Sequence, residues 1–154
     1  MNIQFIKDKL PSDLIYPCSI KEIKDVLLKL PPNHIDGIKR IRLSCQKNIN
    51  ADASYIEGII TIYAIPREFK FAYNYKPSDK TMREYAKYGA KWESIGNYWF
   101  CYWKNELYKN YILYHVLLHE IGHHMDEHHK SRGSLSKEAF AENYATEMEK
   151  FLKK

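Results

Sequence analysis

Hydrophobic positions along the chain follow two rhythms. Ile23, Val26, Leu27 and Leu30 recur at helical spacing after Ser19, a suitable N-cap, and before Pro31-Pro32-Asn33, so the pattern predicts a helix over 20–30. The rhythm then changes to strict alternation over 39–45. Ile41, Leu43 and Cys45 fall on one face and Arg40, Arg42 and Ser44 on the other, the pattern of a half-buried strand. A second strand is predicted over 57–65, where Ile60 and Ile62 oppose Thr61 and Tyr63 and Pro66 ends the run. The stretch 67–95 is rich in Tyr and Lys; a helix over 80–91 fits it, although its aromatic spacing is irregular. Residues 97–103 form a dense aromatic run. Helical spacing returns at Lys104 or Asn105 and runs through Leu107, Tyr111, Leu113, Tyr114, Leu117, Leu118 and Ile121 to about Met125. Beyond a break at 131–134, a last helix over 135–152 turns Phe140, Tyr144, Met148 and Phe151 inward, with Ala141 and Ala145 small enough for a neighbour to approach closely.

Two strands followed by a pair of C-terminal helices imply one small α+β domain over 1–154. It divides into an N-terminal helical segment (1–35), a β-sheet region (36–70) and two helices with their approach (97–154). The balance of 45% hydrophobic and 28% charged residues excludes disordered, collagenous and coiled-coil chains. Three well-separated cysteines, Cys18, Cys45 and Cys101, build neither a disulfide framework nor a cysteine zinc knuckle, which suits a reducing compartment. The start lacks the apolar run of a signal peptide, and the most apolar stretch, 111–118, is far short of the roughly 20 residues that span a bilayer. The expected location is the cytoplasm, with no membrane partner. The net charge of +5 suggests a nucleic-acid ligand only weakly, because Lys39, Arg40 and Arg42 read more simply as the solvated side of a strand. Nucleic acid is therefore not expected as a partner.

Composition does not account for the placement of histidine. Six of the seven histidines (His115, His119, His123, His124, His128 and His129) lie within 115–129. His119-Glu120-Ile121-Gly122-His123 is an H-E-x-x-H pattern on the predicted helix. Imidazoles four residues apart leave one helix face a turn apart, so both can reach one zinc ion at about 2.0–2.1 Å. Glu120 flanks that face and is placed to take a proton from a metal-activated water, the general base of peptide-bond hydrolysis. Gly122 weakens the helix without local reason, which suggests that something packs close there. The pairs His115 with His119 and His124 with His128 share the spacing but carry Val116 and Met125 where Glu120 stands; they read as solvated or hydrogen-bonded histidines.

A third protein ligand is needed. Glu138 lies on the next helix, past a Gly-containing break that lets the helix fold back, and Glu142 shares its face as an outer carboxylate for a ligating imidazole. The rival is His129, six residues after His123, which requires a sharp turn where this chain has Asp126. Glu138 is favoured, since the methionine turn expected of the rival class is missing and Met148 sits in a helical pattern.

The stretch 119–126 (HEIGHHMD) followed by 138–145 (EAFAENYA) resembles the zincin metallopeptidases of the gluzincin clan, above all small lethal-factor-like members, closely over about thirty residues. The resemblance implies a zincin-like fold, a zinc-dependent endopeptidase with one Zn2+ per chain, Glu138 as third ligand and Glu142 as the acid behind the ligands. It also suggests the 57–65 strand as the edge strand above the cleft, on which an extended peptide substrate would pair. Such enzymes place a Tyr or His at the oxyanion. The linker 125–137 holds no tyrosine, so the role is left among His128, His129, Arg132 and the 97–103 aromatics, which are also candidates for a specificity pocket although a core role suits them better. Two alternatives stay open: a metzincin-like peptidase using His129, and a non-catalytic metal-binding regulatory protein, which would not need Glu120.

Overall fold

Alternation places Ile41 and Leu43 in the interior and leaves Arg42 exposed. In the computed structural model, which describes residues 1–45, 51–130 and 132–154, they lie on a strand, Arg40–Ser44 (β3). This strand pairs in parallel with Gln4–Lys7 (β1) on one side and Ile59–Tyr63 (β5) on the other; Ala53–Ile56 (β4) closes the sheet antiparallel to β5, giving the order β1-β3-β5-β4. Ile41, Leu43, Ile60 and Ile62 are almost wholly buried on it, each worth about 1.5–3 kcal/mol by transfer from water. On the polar side Arg42 forks onto Asp8 at 2.9 Å and Arg40 bonds Gln4, so these basic residues knit β1 to β3.

The 57–65 segment departs from expectation in two ways. Glu57 and Gly58, both at positive φ, form the tight turn that joins β4 to β5, a turn that favours left-handed backbone. The strand itself is flanked on both sides, so it is not the edge. The edge beside it, among the described residues, is β4, whose Ala-Ser-Tyr-Ile sequence is too short and too polar to announce a strand. Ile65–Pro66 (β6) leaves the main sheet and pairs with Leu14–Ile15 (β2). The N-terminal 35 residues, expected as a helical segment, therefore contribute two strands as well as helix.

Helix α1, Ile20–Lys29, opens on the predicted Ser19, which forms a full capping box with Glu22. A single turn follows the prolines, Pro32–Ile35 (α2). The stretch 67–95 resolves into Lys70–Tyr73 (β7), Asp79–Lys87 (α3) and Lys91–Ile95 (β8). Tyr98–Tyr102 (β9) is the centre of a second antiparallel sheet, β7-β9-β8. Its Cys101 is fully buried and Trp103 stacks on Tyr111, so the aromatic run belongs to core and sheet.

The long helix is Asn105–Tyr111 (α4), a π-helical turn Ile112–Val116, and Leu117–His129 (α5), four residues longer than the pattern suggested. It ends on Lys130 in the left-handed conformation. The last helix, Lys137–Leu152 (α6), starts on the Ser136 cap and packs antiparallel along α5 through Ala141 and Ala145, both fully buried; Phe151, expected inward, is exposed. No described helix is long and apolar enough to cross a membrane.

Candidate metal centre

The closeness of α5 and α6 is set by Gly122. A Cβ there would stand 2.8 Å from the Cα of Ala141 and 3.1 Å from the Cβ of Tyr144, nearer than packed carbons tolerate. This is the close approach that the glycine implied, and its consequence is chemical. It draws the first turn of α6 over the face of α5 that carries His119 and His123.

Glu138, in that first turn, lies with Oε2 3.1 Å from Nε2 of His119 and Oε1 3.1 Å from Nε2 of His123. The three donors converge on one point, and all lie within 4.8 Å of one another. Ligands of a tetrahedral zinc at about 2.0–2.1 Å stand roughly 3.3 Å apart, so the spacing suits such an ion with little rearrangement. Two imidazoles and one carboxylate that leave a position open are also the donor set of hydrolytic zinc. The expected ligands are thus brought together.

Behind them, Oε1 of Glu142 sits 2.7 Å from Nδ1 of His119. The approach is short but poorly aligned for a linear hydrogen bond, leaving Nδ1 a buried nitrogen whose ring orientation Glu142 nevertheless fixes. The His115 and His119 imidazoles hold the Glu142 carboxyl far below the usual carboxylate range. Burial lowers the affinity of His119 for a proton, yet Glu142 and Glu120 outweigh it and raise the pKa. For His123, burial and the neighbouring His119 prevail and lower it.

Glu120 is 8% exposed and lines the same cleft. Burial pushes its carboxyl up to about 7, the range in which a side chain both accepts and returns protons near neutrality. The cleft encloses about 940 Å³ between α5, the first turn of α6 and the edge strand, with Ala53, Ser54 and Tyr55 of β4 forming one wall. Asp52, just before β4, accepts from the hydroxyls of Tyr85 and Tyr108 and so anchors that wall to the aromatic layer.

His129 is not brought to this centre. Helix α5 runs straight through residues 124–129 with no turn after His123, and six residues of helix rotate His129 away from the ligand face. Its Nε2 lies near the carbonyl of Asn33 instead, at 3.4 Å. His124 is buried between the Tyr55 hydroxyl (2.9 Å) and the Asp36 carbonyl (2.7 Å), and the His128 ring packs on it. Among the residues considered for the oxyanion, Arg132 lines the cleft, its Nε 3.2 Å from Asp126, whereas His128, His129 and the 97–103 run do not.

A group that sequence reasoning passed over lies one helical turn before His119. Nε2 of His115 is 3.0 Å from Glu84 on α3 and 3.4 Å from Glu142 on α6. Burial lowers the His115 pKa, but the two carboxylates prevail and raise it to about 9. Its signal was present as the second i,i+4 histidine pair, but Glu84 belongs to a helix with irregular spacing, and nothing local announced that it meets His115. Comparison with known proteins adds no relative: no family model matches the chain, and no curated protein or solved structure resembles it significantly.

Proposed function

We propose that the chain is a zinc-dependent metallopeptidase of gluzincin type, cleaving peptide bonds within an extended substrate. The observation that carries this reading is the convergence of His119, His123 and Glu138 from two helices beside the buried Glu120 in an open cleft. A zinc ion bound there would supply Lewis acidity to the scissile carbonyl and to a water. The remaining work belongs to the chain. Glu120 takes the proton from the attacking water and returns it to the departing amine. Glu142 keeps the His119 ring in place. Arg132, on the cleft wall, offers a positive charge for the developing oxyanion.

The strand β4, whose only strand partner among the described residues is β5, supplies the backbone groups on which an extended peptide adds as a further strand. It takes the place that 57–65 was expected to fill. The substrate class is therefore peptide or unfolded protein. With His129 turned away, the metzincin-like alternative loses its third ligand. A purely metal-binding role leaves Glu120, a costly buried carboxyl, without a purpose.

Zinc content and hydrolysis of a quenched-peptide library test the reading together. Glu120→Gln is expected to keep zinc and lose at least about a hundredfold in rate, and Glu138→Ala to lose one equivalent of zinc and activity together. Full zinc in Glu138→Ala, or undiminished hydrolysis in Glu120→Gln, overturns it.

A further inference from the structure

The cluster of Glu84, His115 and Glu142 draws one residue from each of three elements: α3, the π-helical turn and α6. One ligand atom from each lies within 4.8 Å of the others. His115 is 8% exposed, and its Nε2 faces both carboxylates at once, at 3.0 Å and 3.4 Å. A single N–H donates well along one line only, so it can satisfy one of the two carboxylates but not both. Among the described residues, the cationic partners of Glu84 and Glu142 are His115 and, for Glu142, His119.

The surroundings complete a site. The Tyr111 hydroxyl donates to the other oxygen of Glu84 at 3.1 Å and orients that carboxylate from behind. Tyr111 also stacks on the His115 ring, fixing its plane. A cavity of about 200 Å³, lined by Glu84, His115 and Glu142 and reaching to His119 and Glu120, leaves room for water ligands. The π turn that places His115 is itself a costly local geometry of the kind found at functional sites.

We propose that Glu84, His115 and Glu142 form a second metal site, taking a divalent first-row transition ion of the zinc or manganese type. One imidazole with two carboxylates is a donor set for such ions, whereas an all-oxygen set would favour magnesium or calcium. Oε1 of Glu142 stands between the two centres, since the same atom approaches Nε2 of His115 and Nδ1 of His119. An ion held by Glu142 therefore competes with His119 for that oxygen, and occupancy of the second site is felt at the first. This inference extends the peptidase reading; Glu84 and His115 belong to the second site alone, and Glu142 is shared.

The test is Zn2+ binding to the full chain by calorimetry, with metal content measured after gel filtration. The wild type is expected to bind two equivalents, and Glu84→Gln, nearly isosteric on a half-buried helix, one. His115→Gln is expected to match Glu84→Gln, and His123→Ala to lose the other equivalent while keeping the one at Glu84 and His115. A Glu84→Gln variant that binds as many equivalents as the wild type overturns the proposal, and Glu84→Gln decides it should His115→Gln fail to fold. Failure of the peptidase reading looks different: His123→Ala then binds as much zinc as the wild type.

Discussion

At Gly122 a methyl group would collide with the backbone of Ala141, which cannot swing aside as a flexible side chain would. Gly122→Ala is therefore expected to cost about 1–3 kcal/mol by overpacking, seen as a lower urea midpoint. It should also weaken zinc binding, because the displaced helix carries Glu138. A loss of stability with zinc affinity unchanged would mean that the close approach serves packing alone. Glu142 acts through its neighbour. Glu142→Ala is expected to weaken the ion at His119, His123 and Glu138 by about 10–100-fold, read by competition with a chelator. At Glu120, burial pushes the carboxyl up to about 7, an environment of the kind the proposed chemistry needs.

Among the elements, α1 allows the plainest check of local reasoning. Its cap joins Ser19 to Glu22, and Glu22 also meets Lys109 of α4 at 3.0 Å. Ser19→Ala should cost about 1 kcal/mol. Burial works against the charged form of Glu22, but the Ser19 bonds and Lys109 together hold its pKa below the ordinary value. A carboxyl depressed in the folded state stabilises above its unfolded pKa, about 4.3, and the gain disappears as pH falls through the folded value. Glu22→Gln should thus be less stable than the wild type at pH 7 and converge with it as the pH falls through the depressed folded value, in chemical denaturation; a difference independent of pH would contradict the assignment. The edge strand β4 was hidden from sequence reasoning. Ala53, Ser54 and Tyr55 show no apolar alternation because the strand packs one side on α5 and opens the other to the cleft. The β5 strand, with Ile60 and Ile62, was evident because it is interior, and for that same reason it is not the edge.

Across the whole molecule, what was legible followed from periodicity and from local motif. The capped α1, the alternating β3, the long histidine helix and the close-packed α6 all announce themselves within a few residues. So did His119, Glu120 and His123, which share one helix, and Glu138 and Glu142, which share another. What escaped depends on distant pairing. The parallel contact of β1 with β3 spans more than thirty residues, and the meeting of Glu84 with His115 and Glu142 joins three helical elements across the fold. No local pattern encodes such encounters. The aromatic layer of β7, β8 and β9 packs on Tyr85 of α3 and Tyr108 of α4, the two tyrosines that bond Asp52 beside the cleft wall; it belongs to the same class and does not line the cleft. The central claim is that this architecture hydrolyses peptide bonds with zinc and Glu120. The most direct measurement is cleavage of an unfolded protein substrate by wild type and Glu120→Gln at equal, verified zinc content. Hydrolysis by the wild type is expected, abolished by chelation and restored by zinc, with the variant at least about a hundredfold slower. Equal rates in the two proteins, or no hydrolysis by the zinc-loaded wild type, would contradict that claim.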